Sequence, residues 1–179
     1  MRLGHLLSEL PAVDVYQRRR DPQTWRWANH STEVDFLIDE PAQKNNRPPA
    51  LVLSLSATVT DERITAVLGA EVAIWRLRIP NPEQDFLRAR EHLTAFRRAV
   101  RIVLDRIKSA HGQAALLHVF PAMPVSAAVE FGRVIQPKAD LTMQVYDQQQ
   151  PQGFVATLTL NSPAPASAFS ATVASHPSP

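Results

Sequence analysis

The chain has 179 residues, with 19 Lys plus Arg against 17 Asp plus Glu, a formal net charge of +2 and a sequence pI near 9.4. It has no Cys, which excludes a disulfide framework, a zinc finger, an iron–sulfur cluster and a thiol nucleophile. With 45% hydrophobic and 20% charged residues it reads as one globular domain, and a chain of this size buries roughly 70% of its extended surface.

The opening MRLGHLLSELPAVD lacks the apolar stretch of a signal peptide, and no later run approaches the ~20 apolar residues that span a bilayer. A cytoplasmic protein without membrane contact is the expectation. Residues 1–49 form an N-terminal extension of undetermined structure. A short amphipathic stretch (Leu3, Leu6, Leu7, Leu10) stops at Pro11, the triplet Arg18-Arg19-Arg20 follows, and Trp25 and Trp27 precede a strand-like Glu33–Asp39. Ala42–Pro49 is polar and ends in two prolines, as a loop does.

From Ala50 the pattern is regular. Ala50–Ser56 is an apolar run suited to a strand covered on both faces. The next helix has Thr60 as cap, Asp61 and Glu62 in its first turn and Gly69 as its stop. Glu71–Pro80 alternates, with Val72, Ile74, Arg76 and Arg78 on one face and Trp75, Leu77 and Ile79 on the other. Asn81-Pro82-Glu83-Gln84 resembles a capped helix start, and Phe86, Leu93, Phe96, Val100, Val103, Leu104 and Ile107 recur at helical steps, predicting a helix over 82–108. Its other face carries Arg88 to Arg106, a candidate for nucleic-acid or partner contact, or a solvated face with Glu91 and Asp105 as counter-charges. Ala114–Phe120 is a further buried strand, Pro124–Ile135 a short helix, and Leu141–Asp147 with Gly153–Leu160 a hairpin. Asn161–Pro179 is rich in Pro, Ser and Ala and reads as a disordered tail.

The order β-α-β-α-β-α-β-β implies an α/β fold: a mostly parallel sheet in a three-layer sandwich, closed by an antiparallel C-terminal hairpin. In such sheets ligands bind at the loops leaving the carboxyl ends of strands. That rule selects two segments. In the first, Ser54, Ser56 and Thr58 offer hydroxyls beside a helix start; alternatively they serve the turn, with Thr60 as the cap. The second runs from Phe120 through Pro121, Met123 and Pro124 to Ser126, and Phe120 belongs either to a binding loop or to the core. Gly132, inside the helix that follows, implies close backbone approach to the sheet.

Catalytic patterns are sparse. The chain has no GxGxxG, GxxxxGK[ST], GxSxG or HExxH, and only five Gly to build a phosphate loop. His118, mid-strand, reads as a satisfied buried imidazole, and His92 and His111 have no partner at metal spacing. No catalytic residue, metal or cofactor is expected.

Leu116–Gln148 resembles the SAVED domain, a cyclic-oligonucleotide sensor fused to effectors in the anti-phage CBASS and type III CRISPR systems. The resemblance rests on His118-Val119-Phe120, Ala122-Met123-Pro124, Phe131-Gly132 and Tyr146-Asp147, and extends in element order over residues 50–160. It implies a CARF-like Rossmann fold that binds a cyclic di- or trinucleotide, performs no chemistry, and activates an effector domain or subunit through self-association or hetero-assembly. Carried onto this chain, Ser54, Ser56 and Thr58 would contact phosphate or ribose. Phe120 would stack on a base, and the backbone amides of Met123–Ser126 would face phosphate. The family has two CARF-like halves plus an effector, whereas 179 residues hold about one half. A cut-out piece, a half that pairs with another subunit and a degenerate relative are the three implied readings, and the interaction subunit is the alternative function.

Overall fold

A computed structural model describes residues 1–7, 13–28 and 32–161. The expectations for Leu10, Pro11 and the tail beyond Asn161 lie outside the described residues. Ten elements follow in order: α1 (Arg2–Leu6), β1 (Leu37–Asp39), β2 (Pro49–Ser54), α2 (Asp61–Leu68), β3 (Ala73–Arg78), α3 (Arg90–His111), β4 (Leu117–Ala122), α4 (Val125–Val134), β5 (Met143–Gln149) and β6 (Gly153–Leu160). The strands make one sheet in the order β1-β3-β2-β4-β5-β6. Its four central strands are parallel, and each edge strand, β1 and β6, is antiparallel to its neighbour. The expected α/β sandwich with its C-terminal hairpin is present, with one more strand from within residues 1–49.

Burial follows position in the sheet. All six residues of the central β2 are buried, whereas β3 alternates. On one face, Leu51, Leu53, Trp75, Leu77 and Val119 meet the stripe of α3 (Phe96, Val100, Val103, Leu104, Ile107) and Phe131 of α4. On the other, Ala50, Val52, Phe120, Tyr146 and Phe154 meet Ile64 of α2. Right-handed crossovers require this division: the β2-to-β3 connection moves one way along the sheet and the β3-to-β4 and β4-to-β5 connections move the other.

Three local expectations are corrected. First, α3 begins at Arg90 rather than Pro82. Phe86 and Leu87 are both buried, but in the segment that leads into the helix. The backbone on either side of them is taken by tertiary partners: Glu83 N–H donates to the Leu55 carbonyl (3.1 Å), and Ala28 N–H donates to the Arg88 carbonyl (2.8 Å). Second, Thr60 occupies the N-cap of α2 but makes no capping bond; its hydroxyl serves Glu62. Third, the close approach at Gly132 is to α1, not to the sheet. A Cβ on Gly132 would lie 2.0 Å from the Met1 carbonyl oxygen, and one on Gly4 would lie 1.8 Å from that of Val129.

The polar face of α3 is also more enclosed than a solvated face. Arg97 reaches Glu130 (3.1 Å) and Arg101 reaches Asp140 (2.8 and 2.6 Å), two carboxylates that are buried. Arg106 and Arg90 pair with Glu40 and Asp14. These cations hold α3 to its neighbours.

Candidate functional site

Strands β2 and β4 lie side by side, and the chain leaves their carboxyl ends in opposite directions. This is the switch point of the sheet, where two diverging loops open a crevice. Ser54 and Ala122 are register partners there. The Ala122 carbonyl accepts from both Leu55 N–H (2.9 Å) and Ser56 N–H (2.8 Å), so the two loops selected from the sequence are joined at their roots.

A cleft of about 490 Å³ opens on the α2 side of this point, lined by Ser54, Thr58 and Thr60 together with Asp61, Arg76 and Arg78. Arg76 is the central group. Its guanidinium donates to the Ser54 hydroxyl (3.2 Å) and the Val59 carbonyl (2.6 Å), and it pairs with Asp61. Ser54 is buried, so its hydroxyl shapes the loop and reaches the cleft through Arg76. Thr58 is exposed on the rim and Ser56 is half-buried outside the lining. Arg78 forms a two-pronged pair with Asp39 of β1 (2.7 and 3.3 Å), which raises its pKa and fixes its orientation. Glu62, beside it, titrates below the usual carboxylate range, chiefly because the Thr60 hydroxyl bonds to its ionised form. The cleft therefore presents both signs: guanidinium groups from β3 and carboxylates at the start of α2.

The second predicted segment has a different fate. Phe120 is completely buried, stacked on Tyr146 with ring centroids 4.5 Å apart and edge-on to Phe154 at 5.1 Å. The expected base-stacking role is thus corrected: on the inward face of β4 the ring belongs to the core. Pro121, Met123 and Pro124 are half-buried, Met123 packing against the α3-side core. Ser126, in the first turn of α4, is buried, and both its hydroxyl (2.8 Å) and its N–H (3.3 Å) donate to Gln17 Oε1. Pro124 has no side-chain donor or acceptor with which to cap α4, so a residue from the N-terminal segment does it. Val125 beside it is 76% exposed.

Sequence reasoning missed Arg76, Arg78 and Gln17. For the two arginines a signal existed, since cations alternated with Ile74 on a strand flanked by apolar residues. For Gln17 there was none. Among the described residues no cluster of His, Asp and Glu is placed to hold a metal, and no helix is long and apolar enough to cross a membrane.

Residues 1–160 match the family model of the SAVED domain, described as a "SMODS-associated and fused to various effectors sensor domain". A search of curated proteins finds no matching sequence. Among solved structures, the chain is similar to the SAVED/CARF-domain receptor Cap4 of Acinetobacter baumannii with the cyclic trinucleotide 2'3'3'-cAAA. That match has TM-score 0.54 and 17% identity, and covers 73% of this chain and 28% of the receptor. The same receptor with 3'3'3'-cAAA gives TM-score 0.49 and 14% identity, over 72% of this chain and 28% of the receptor. The chain thus spans little more than a quarter of the receptor it matches. With the family model covering the whole sheet and its helices, the chain belongs to the SAVED family of sensor domains.

Proposed function

We propose that this domain senses a cyclic oligonucleotide, a di- or trinucleotide second messenger, and regulates an antiviral effector through ligand-driven assembly without catalysing a reaction itself. The observation that carries the reading is the cleft beside the switch point, where Arg76 and Arg78 of β3 line one space with Ser54, Thr58 and Thr60 of the segment leaving β2. Planar guanidinium groups suit phosphate diesters. Asp61, which pairs with Arg76, and Glu62 stand at the start of α2: anionic oxygens are repelled from them, while ribose hydroxyls and exocyclic amines find acceptors. The phosphates therefore lie toward β3 and the donor edges toward α2. Family membership supports a sensor, and the Cap4 receptor, of similar fold, is known with cyclic trinucleotides.

Calorimetry of the chain, and of the assembly that carries its effector, against a panel of cyclic di- and trinucleotides tests the proposal. Binding of one member is expected, weakened about tenfold by Arg76→Ala, which removes one charge-assisted contact. Silence of the intact assembly toward the whole panel overturns it.

A second reading is an interaction subunit that completes another chain's pocket without binding nucleotide alone. It is favoured by Val125, a large apolar side chain 76% exposed beside the switch point. Light scattering with and without the messenger separates the two, because an interaction subunit changes mass with a partner and is indifferent to the nucleotide.

A further inference from the structure

A second cleft lies at the opposite end of the sheet, where β2 and β4 begin. It measures about 580 Å³, within the range of small-molecule sites, and is formed by residues 44–49, the last turn of α3 and the entry to β4. Its polar lining is Lys44, Asn45, Asn46, Arg47, His111 and His118, with no carboxylate among the lining residues. This is the reverse of the switch-point cleft, whose arginines face acids on the same wall.

The cations are available to a competing anion. Arg47 pairs with Glu71 (2.7 Å), which is 81% exposed, and Lys44 with Glu40, which already receives Arg106. Both pairs are open to solvent on at least one side, and such surface pairs contribute about 0–1 kcal/mol, so exchanging one carboxylate for a ligand oxygen costs little. The imidazoles are held in place by the fold. His111 Nε2 accepts the Trp75 indole N–H (3.0 Å), and His118 Nδ1 lies 2.9 Å from the Tyr146 hydroxyl. At the end of α3 the Lys108 carbonyl is taken by Gly112 N–H, so His111 rather than that carbonyl oxygen is presented to the cleft. Leu116, 43% exposed, and Pro48 supply an apolar wall on which a flat ring can lie.

We propose that this cleft is a second ligand site, distinct from the switch point, which takes a small phosphate-bearing molecule with a planar heterocyclic body. Lys44 and Arg47 hold the phosphate, the Asn45 and Asn46 amides take polar edges of the ring, and Leu116 covers its face.

The test is a titration of the full chain, followed by NMR of its imidazole and backbone amide signals, first with inorganic phosphate and then with adenosine monophosphate. Both are expected to shift His111, His118 and the amides of 44–47. Adenosine monophosphate should bind about tenfold more tightly, as befits one buried ring face. The double variant Lys44→Gln/Arg47→Gln, whose changes are at the surface and compatible with folding, is expected to weaken both by about tenfold or more. The proposal is overturned if neither probe shifts these signals, if the shifts survive in the double variant, or if Arg76→Ala abolishes them, since the last result would place the ion at the switch point.

Discussion

The rings of Phe120 and Tyr146 stack at an interplanar angle of 11°, and the Tyr146 hydroxyl is hydrogen-bonded to His118. Three residues that carry the family resemblance therefore form one column, with Phe120 and Tyr146 in the core on the α2 side of the sheet and His118 at its open end. Burial lowers the pKa of His118 below its ordinary 6.5 and raises that of Tyr146 above 10.0. At His118 the unfolded chain binds a proton more readily than the native one, so its contribution to stability is present above about pH 6.5 and is lost as pH falls below it. His118→Phe should make the urea midpoint less dependent on pH between about 5 and 7; a residual slope is expected from His111, which burial shifts in the same direction. Tyr146→Phe, which leaves the stack intact and removes one hydrogen bond, should cost about 1 kcal/mol at neutral pH in the same assay. This column also explains how far the site was legible. Strand-end logic selected Ser54 and Thr58, which line the cleft, because it depends on topology alone. It left Phe120 between a binding loop and the core, because the run Ala114–Phe120 is apolar apart from His118 and does not mark whether the ring at its end turns inward.

Between elements, the chain relies on two devices of opposite legibility. The alternation of strands and helices from Ala50 onward was readable because each apolar stripe has one face to cover, and the structure places those stripes on the two sides of the sheet as expected. The N-terminal segment was readable only in part: the strand-like Glu33–Asp39 contains β1, whereas the contacts that hold residues 13–28 have no period. The Asp85 carboxylate accepts Arg20 N–H (2.9 Å) and Asp21 N–H (3.2 Å), and His92 Nε2 meets the Thr32 carbonyl (2.9 Å). At α1 the contact is backbone on backbone, made possible by Gly4 and Gly132. Gly132→Ala puts a methyl group into the Met1 carbonyl, so α1 must move; a loss of about 1–3 kcal/mol by urea unfolding is expected, with the sheet preserved by circular dichroism. The segment between α4 and β5 is held to α3 electrostatically. Asp140, with its side chain 1% exposed, accepts both guanidinium nitrogens of Arg101 and the Gln136 N–H (2.8 Å). Asp140→Ala strands those donors. Because Arg101 keeps 26% exposure and retains Asp105, a cost of about 2–3 kcal/mol is expected, below that of a fully buried pair. An unchanged denaturation midpoint would show that water replaces the carboxylate without penalty.

At the scale of the molecule, the switch-point cleft is one-sided. Its walls come from one end of one sheet, and the chain spans 28% of the Cap4 receptor it resembles. Small-molecule sites cover some 70–90% of the ligand surface. A cyclic nucleotide laid on Arg76 and Arg78 has its outer face in water until a second surface closes over it. On the proposed function, ligand and partner would stabilise one another: whatever binds only the assembled form shifts the monomer toward assembly by mass action, and the coupling is reciprocal. The messenger is expected to raise the weight-average mass of the chain in sedimentation, and the apparent affinity for messenger to rise with protein concentration. Val125, 76% exposed in the first turn of α4, provides the control. Val125→Asp is compatible with a helix N-terminus, where a carboxylate is favoured, yet it places a charge on the apolar contact. It should reduce the ligand-driven gain in mass while leaving the urea midpoint of the monomer within about 0.5 kcal/mol of the parent. Tight binding by a monomer at every concentration, with no change in mass, would show that the cleft closes over its ligand unaided and that assembly is not the output.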